Sequence, residues 1–197
     1  MTSRVLLLHG YQHTRPRTHW MWWLAEELRD RRIPVQYPQL PSPSAPVRDA
    51  WREVALGELE MLTEGDGERI VIAHSLGTVL WRHLEAVGAA PLVARVLLVA
   101  PPVMDPPPPG LEAWAFADEP APPWRSPATL LAREADPYRR EPLDTVASAW
   151  GLPCIVLPGP GHLNPDDGHG PWAAMLEWAL AGDARWRLGE GARSLDA

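Results

Sequence analysis

Six short apolar runs recur along this chain with helical patterns between them, and that alternation limits the fold more than any other feature. The runs are Arg4–Leu8 (RVLLL), Ile33–Tyr37 (IPVQY), Arg69–Ala73 (RIVIA), Arg95–Val99 (RVLLV), Thr129–Arg133 (TLLAR) and Pro153–Leu157 (PCIVL). Most are continuously apolar rather than alternating, as strands covered on both faces must be. Between them, Val47, Trp51, Val54, Ala55, Leu59 and Leu62 form one helical stripe, and Trp172, Met175, Leu176, Ala179 and Leu180 another. Repeated β–α units of this kind predict an α/β fold with a mainly parallel sheet sandwiched between helices. Pro34 suits an edge or a strand start, so the second strand is the weakest of the six.

A chain of 197 residues can bury a core as one domain, expected over residues 1–182. Residues 183–197 are mixed in charge and weakly patterned, and read as a loosely structured tail. Residues 101–127 break the rhythm. They follow the fourth run directly and hold ten of the 24 prolines, together with Trp114, Phe116 and Trp124. A connection this long is unusual in a compact domain. Its aromatics point to an apolar wall beside the strand ends, hence to a substrate pocket.

The charge excludes some partners. A net charge of −7 disfavours nucleic acid and anionic membrane, which both need a basic face. No run approaches the roughly 18 apolar residues of a membrane span, and the N-terminal apolar run is too short for a signal peptide. A single cysteine, Cys154, rules out an internal disulfide. The expectation is a cytoplasmic protein acting on a small molecule, and nothing in the sequence names a protein partner.

Residues 71–81 read VIAHSLGTVLW, an apolar strand, then Ser75, then a helical pattern. A serine in this place can be a helix N-cap. It can also be the nucleophile of a strand–turn–helix elbow, whose strained turn requires small residues two positions to either side. Gly77 meets that demand and Ala73 exceeds it by one methyl. A nucleophilic serine needs a base, and the base needs an orienting acid. READPYRR follows the fifth run and PGPGHLNPDDGHGPW the sixth, so both loops leave the same sheet edge as Ser75.

Asp136 can cap a helix beginning at Pro137, or it can be the acid, since the proline holds it extended. Its loop position favours the acid, with Glu134 as competitor. His162 and His169 compete as base. His169 precedes a helix whose positive end opposes an imidazolium, which favours His162. The oxyanion donors expected are the backbone N–H groups of Leu76, at a helix start, and Tyr11, beside the permissive Gly10. His162, Asp166, Asp167 and His169 crowd one loop and His9, His13 and His19 another, but neither spacing matches a tight metal motif. No metal and no cofactor is expected. Cys154 reads as an inert core residue, and His74 as a local packing or hydrogen-bonding group.

With these segments in view, the chain resembles the small serine hydrolases related to retinoblastoma-binding protein 9 and bacterial YdeN-type proteins, from about Val5 to Leu180. The resemblance is carried by HGYQHTRPRTHW, QLPSPSAPVRDAW, AHSLG, DPY and GHLNPDDGHGPW. It implies a minimal α/β-hydrolase fold without a large cap, and a triad of Ser75, Asp136 and His162. Ala73 and the 101–127 loop depart from the family pattern. The expected activity is hydrolysis of small or short-acyl carboxylic esters through an acyl-enzyme. The alternative is a binding or regulatory protein on a hydrolase scaffold.

Overall fold

The structure is a computed structural model that describes residues 3–64, 66–115 and 121–186. Among these described residues six strands form one sheet in the order β2-β1-β3-β4-β5-β6, with every pairing parallel. They are β1 (Ser3–Leu8), β2 (Val35–Gln36), β3 (Glu68–His74), β4 (Arg95–Val99), β5 (Ala128–Ala135) and β6 (Cys154–Pro160). The α-helices that connect and cover them are α1 (Trp20–Asp30), α2 (Arg48–Thr63), α3 (Leu76–Ala86), α4 (Leu143–Trp150) and α5 (Ala173–Ala181). Among the described residues no helix is long and apolar enough to cross a membrane.

The continuous apolar runs are explained by a core on each face of the sheet. Leu6, Leu8, Val71, Ala73, Val96, Leu98 and Leu130 point to one face, where Trp51, Val79, Leu80 and Val146 of α2, α3 and α4 pack. Val5, Leu7, Ile70, Ile72, Leu97 and Val99 point to the other, against Trp20, Leu24 and Leu28 of α1 and Met175 and Trp178 of α5. Successive residues of the central strands thus alternate between two cores, as the period of two demands, while edge-strand residues such as Val156 remain exposed.

The second strand is shorter than expected and sits at the edge. Pro34 and Pro38 bracket it and cannot donate to a ladder, so pairing is confined to Val35 and Gln36. The strand order reverses between β1 and β3. Their following loops diverge there to helices on opposite faces, opening the crevice in which parallel sheets bind ligands. Past α5 the chain turns back on the core, with Trp186 edge-on to Trp172 at 5.6 Å. The rest of the expected tail, 187–197, lies outside the described residues.

Candidate active site

Ser75 occupies the junction of β3 and α3 with φ 53° and ψ −125°. No L-residue adopts this geometry without strain, at a cost of about 1–3 kcal/mol. The surroundings over-determine it. Ser75 N–H donates to Val99 O at 2.9 Å, and Ser75 O accepts from Thr78 N–H at 2.8 Å and Thr78 Oγ1–H at 2.7 Å. Ser75 caps nothing with its side chain, so the N-cap reading fails.

Small residues make room for the turn. A Cβ on Gly77 would overlap the Leu8 and His9 carbonyl oxygens, so the first turn of α3 packs directly on the end of β1. Ala73, fully buried and paired with Leu8 and Leu98, is accommodated with the elbow intact.

Asp136 follows the last residue of β5, just past a register irregularity between Arg133 and Ala135. No helix begins there, since α4 starts only at Leu143. Instead Asp136 Oδ1 accepts the Tyr138 N–H at 2.9 Å in a local turn. Its buried carboxylate lies against His162 Nδ1, at 2.9 Å from Oδ2 and 3.0 Å from Oδ1. Because a carboxylate only accepts, Nδ1 carries the proton and Nε2 is left as the acceptor. His162 Nε2 stands 2.8 Å from Ser75 Oγ. The three side chains therefore form one unbroken line from a buried acid to a hydroxyl. The competitor Glu134 points elsewhere, accepting the Gly159 N–H at 3.1 Å.

His162 is also held by its backbone. Its N–H donates to Asp167 Oδ2, and its carbonyl accepts from His74 Nε2–H at 3.0 Å. Asn164 closes the loop by accepting the Asp167 N–H at 3.1 Å, while Trp20 Nε1–H donates to Leu163 O at 2.9 Å. His169 is buried edge-on against Trp172 at 4.5 Å, and its ring nitrogens have no partner among the described residues. It makes no contact with the serine.

Sequence reasoning missed several supports of the site, Asp167 and Arg139 among them. Asp167 was legible only as one of a pair of acids, although the Asn-Pro turn before it is what folds it back on His162. Arg139 was not singled out at all. It is buried, and it donates to Arg133 O at 2.6 Å, Glu134 O at 3.2 Å and Glu141 O at 2.8 Å, clamping both ends of the loop that carries Asp136.

Of the two expected oxyanion donors, Leu76 begins α3 directly after Ser75, and Tyr11 follows Gly10 just beyond the end of β1. Gln12 then turns away with φ 55°, its N–H donating to Pro43 O at 2.8 Å.

The expected aromatic pocket wall is corrected in part. Trp114 is 1% exposed, edge-on to Trp51 at 5.0 Å with its indole N–H on Pro46 O at 3.2 Å, so it is core. Trp124 is stacked with Trp150 of α4 at 6.0 Å and donates to Trp150 O at 2.6 Å. Prolines bend this connection so that both indoles fold inward against helices. Phe116 lies outside the described residues. The aromatic that does meet the site is Tyr138, 58% exposed and edge-on to the His162 ring at 4.5 Å.

Behind His162 runs a stack of buried imidazoles. Ring centroids are separated by 5.1 Å from His162 to His74, 5.2 Å to His19, 4.5 Å to His13 and 4.9 Å to His9. Burial is the largest influence on each of the four. It holds His9 down at about 4 and His13 at about 3, and keeps His19 and His74 well below the ordinary histidine value. The floor of the site is thus uncharged at neutral pH. Among the described residues no group of His, Cys, Asp and Glu could hold a metal ion.

The family model described as "Serine hydrolase" matches residues 5–179. No curated protein matches the chain. Among solved structures, a YdeN-like protein from Pectobacterium atrosepticum is similar with a TM-score of 0.69 and 22% identity, over 91% of this chain and 90% of that one. The ydeN gene product of B. subtilis is similar with a TM-score of 0.70 and 16% identity, over 92% and 98% of the two chains. A structure from work on the metagenome-derived lipolytic enzymes LipS and LipT is similar with a TM-score of 0.59 and 16% identity, over 91% and 92%. Likeness at these identities carries the α/β-hydrolase fold, here compact and, among the described residues, without a cap.

Proposed function

The chain belongs to the serine hydrolase family, and from that premise we propose that it hydrolyses carboxylic esters with small or short acyl groups through an acyl-enzyme on Ser75. The observation that carries the proposal is the line Ser75 Oγ–His162 Nε2 at 2.8 Å and His162 Nδ1–Asp136 at 2.9 Å. The lipolytic character named for LipS and LipT is in keeping with an ester substrate.

In this reading Ser75 Oγ attacks the ester carbonyl while its proton passes to His162 Nε2. The carbonyl oxygen becomes an oxyanion, held by the Leu76 N–H with the help of the α3 dipole, and by the Tyr11 N–H. Collapse of the tetrahedral intermediate breaks the bond to the leaving oxygen, which takes the proton from His162. Water then attacks the acyl-Ser75 ester, gives a proton to His162, and the carboxylic acid departs as Oγ regains its hydrogen. Asp136 keeps the imidazole in the required tautomer and stabilises the imidazolium. An uncharged histidine floor beneath the site leaves His162 as the group that takes on charge.

Pre-steady-state hydrolysis of p-nitrophenyl acetate tests this. The expected result is a burst of about one nitrophenolate per active site, absent in Ser75→Ala, whose turnover falls by orders of magnitude. Turnover that survives Ser75→Ala would defeat the proposal.

A further inference from the structure

The residue before the serine has a partner on the far side of the site. His74 is 3% exposed and is the last residue of β3. Its Nε2 lies 3.0 Å from the carbonyl oxygen of His162, 88 residues away in the chain. A carbonyl only accepts, so Nε2 carries the proton and Nδ1 is the bare nitrogen. Protonating Nδ1 as well is opposed by burial first, and then by His162, His13 and His169.

The next ring, His19, has a fixed tautomer of its own. His19 Nδ1 accepts the Met21 N–H at 3.1 Å, so its Nε2 carries the hydrogen. Neither His19 Nε2 nor His74 Nδ1 has a hydrogen-bond partner among the described residues, although the two rings meet edge-on at 5.2 Å. His74 is confined to being a neutral donor by its bond to the His162 carbonyl and by burial.

We propose that His74 is a positioning residue for the base: by holding the His162 carbonyl, it ties the loop bearing the base to the same strand end that bears the nucleophile. This rests on the assignment of Ser75 and His162 above. Ser75 and His74 are consecutive, so one peptide unit links the nucleophile to the anchor of its base. A shift of the β6–α5 loop would otherwise lengthen the 2.8 Å Ser75–His162 contact directly. Asp167 holds the His162 N–H from within that loop and moves with it, whereas His74 refers the loop to the sheet. Misplacement of a catalytic group by about 1 Å is enough to lose on the order of a hundredfold in rate.

Three substitutions separate the hydrogen bond from mere filling of the space. His74→Gln can put an amide N–H where Nε2 stands. His74→Asn carries the same amide on a shorter arm, and His74→Phe fills the space with no donor. The expected result is that His74→Gln keeps ester hydrolysis within about threefold of the parent, while His74→Asn and His74→Phe lose about ten- to a hundredfold. The loss should lie in kcat with KM little changed, because the substrate does not touch His74. Reaction of Ser75 with a fluorophosphonate should slow in the same order, read on the folded fraction given by circular dichroism. Equal losses in all three variants, no loss in His74→Phe, or a loss confined to KM would overturn the positioning role. If the parent protein takes no fluorophosphonate at Ser75, the reading of the site itself fails, and this role falls with it.

Discussion

Gly10 and Ser75 meet where β1 and β3 end, so closely that a Cβ on Gly10 would stand 2.6 Å from Ser75 Cβ and 3.0 Å from its Oγ. The loop carrying the Tyr11 N–H thus reaches the nucleophile only because residue 10 has no side chain. Gly10→Ala should push the loop from the serine and remove one oxyanion donor. Loss of such a donor costs on the order of a hundred- to a thousandfold in kcat. Overpacking adds about 1–3 kcal/mol of destabilisation. Steady-state kinetics with a urea denaturation curve checks both, and unchanged kcat would place the oxyanion site elsewhere.

Asp136 and Glu134 lie two residues apart at the end of β5, yet only Asp136 meets His162. Asp136→Asn would offer an amide donor to Nδ1 and favour the tautomer with its proton on Nε2, facing Ser75. The expected loss in kcat is of order ten-thousandfold. Glu134→Gln should stay within a few-fold, measured on the same ester. Similar losses in both would break the distinction.

The buried histidines predict an acid-sensitive fold. Native His9 and His169 sit at about 4 and His13 at about 3, mainly through burial, and His19 and His74 are lowered too. Unfolding returns each to about 6.5, so the unfolded chain binds more protons below that pH. Stability is therefore full above about pH 6.5 and is lost as the pH falls towards the native values. Three such histidines give a slope approaching about 4 kcal/mol per pH unit, large beside a total of about 5–15 kcal/mol. Urea unfolding at pH 7, 6 and 5 should show this decline, and His169→Phe should flatten it by about one proton. A stability independent of pH over this range would contradict the burial of these rings.

Substrate length follows from the placement of the aromatics. With Trp114 buried and no cap over the sheet edge among the described residues, a bound acyl chain is expected to meet protein for only a few carbons. Each buried methylene contributes about 0.8 kcal/mol, and those in water add little. Across p-nitrophenyl esters, kcat/KM should peak at or below about six carbons, without a jump at the micelle threshold. Trp114→Ala should cost about 3–5 kcal/mol of stability and leave that profile alone. Tyr138 is exposed and lies edge-on to the His162 ring at 4.5 Å. A peak at palmitoyl esters would contradict this reading of the site.

How much of this was legible in the sequence depends on the range of each interaction. Buried parallel strands read as unbroken apolar runs because Val5 and Leu6 face different cores, so the order of elements could be read directly. The loops bearing Ser75, Asp136 and His162 were legible for the same reason, since each follows such a run. Trp114 was misread because a tryptophan among prolines has the same local pattern whether it lines a pocket or turns inward on Trp51. The His74–His162 bond left no trace, because no periodicity connects residues 88 apart. Arg139 was equally silent: its partners are backbone carbonyls, which every residue type carries.

The most direct test of the central claim is where a fluorophosphonate attaches. Intact-mass spectrometry should show one adduct per chain, and peptide mapping should place it on Ser75, with no labelling in Ser75→Ala. An adduct on another residue, or labelling that persists in Ser75→Ala, would contradict the account.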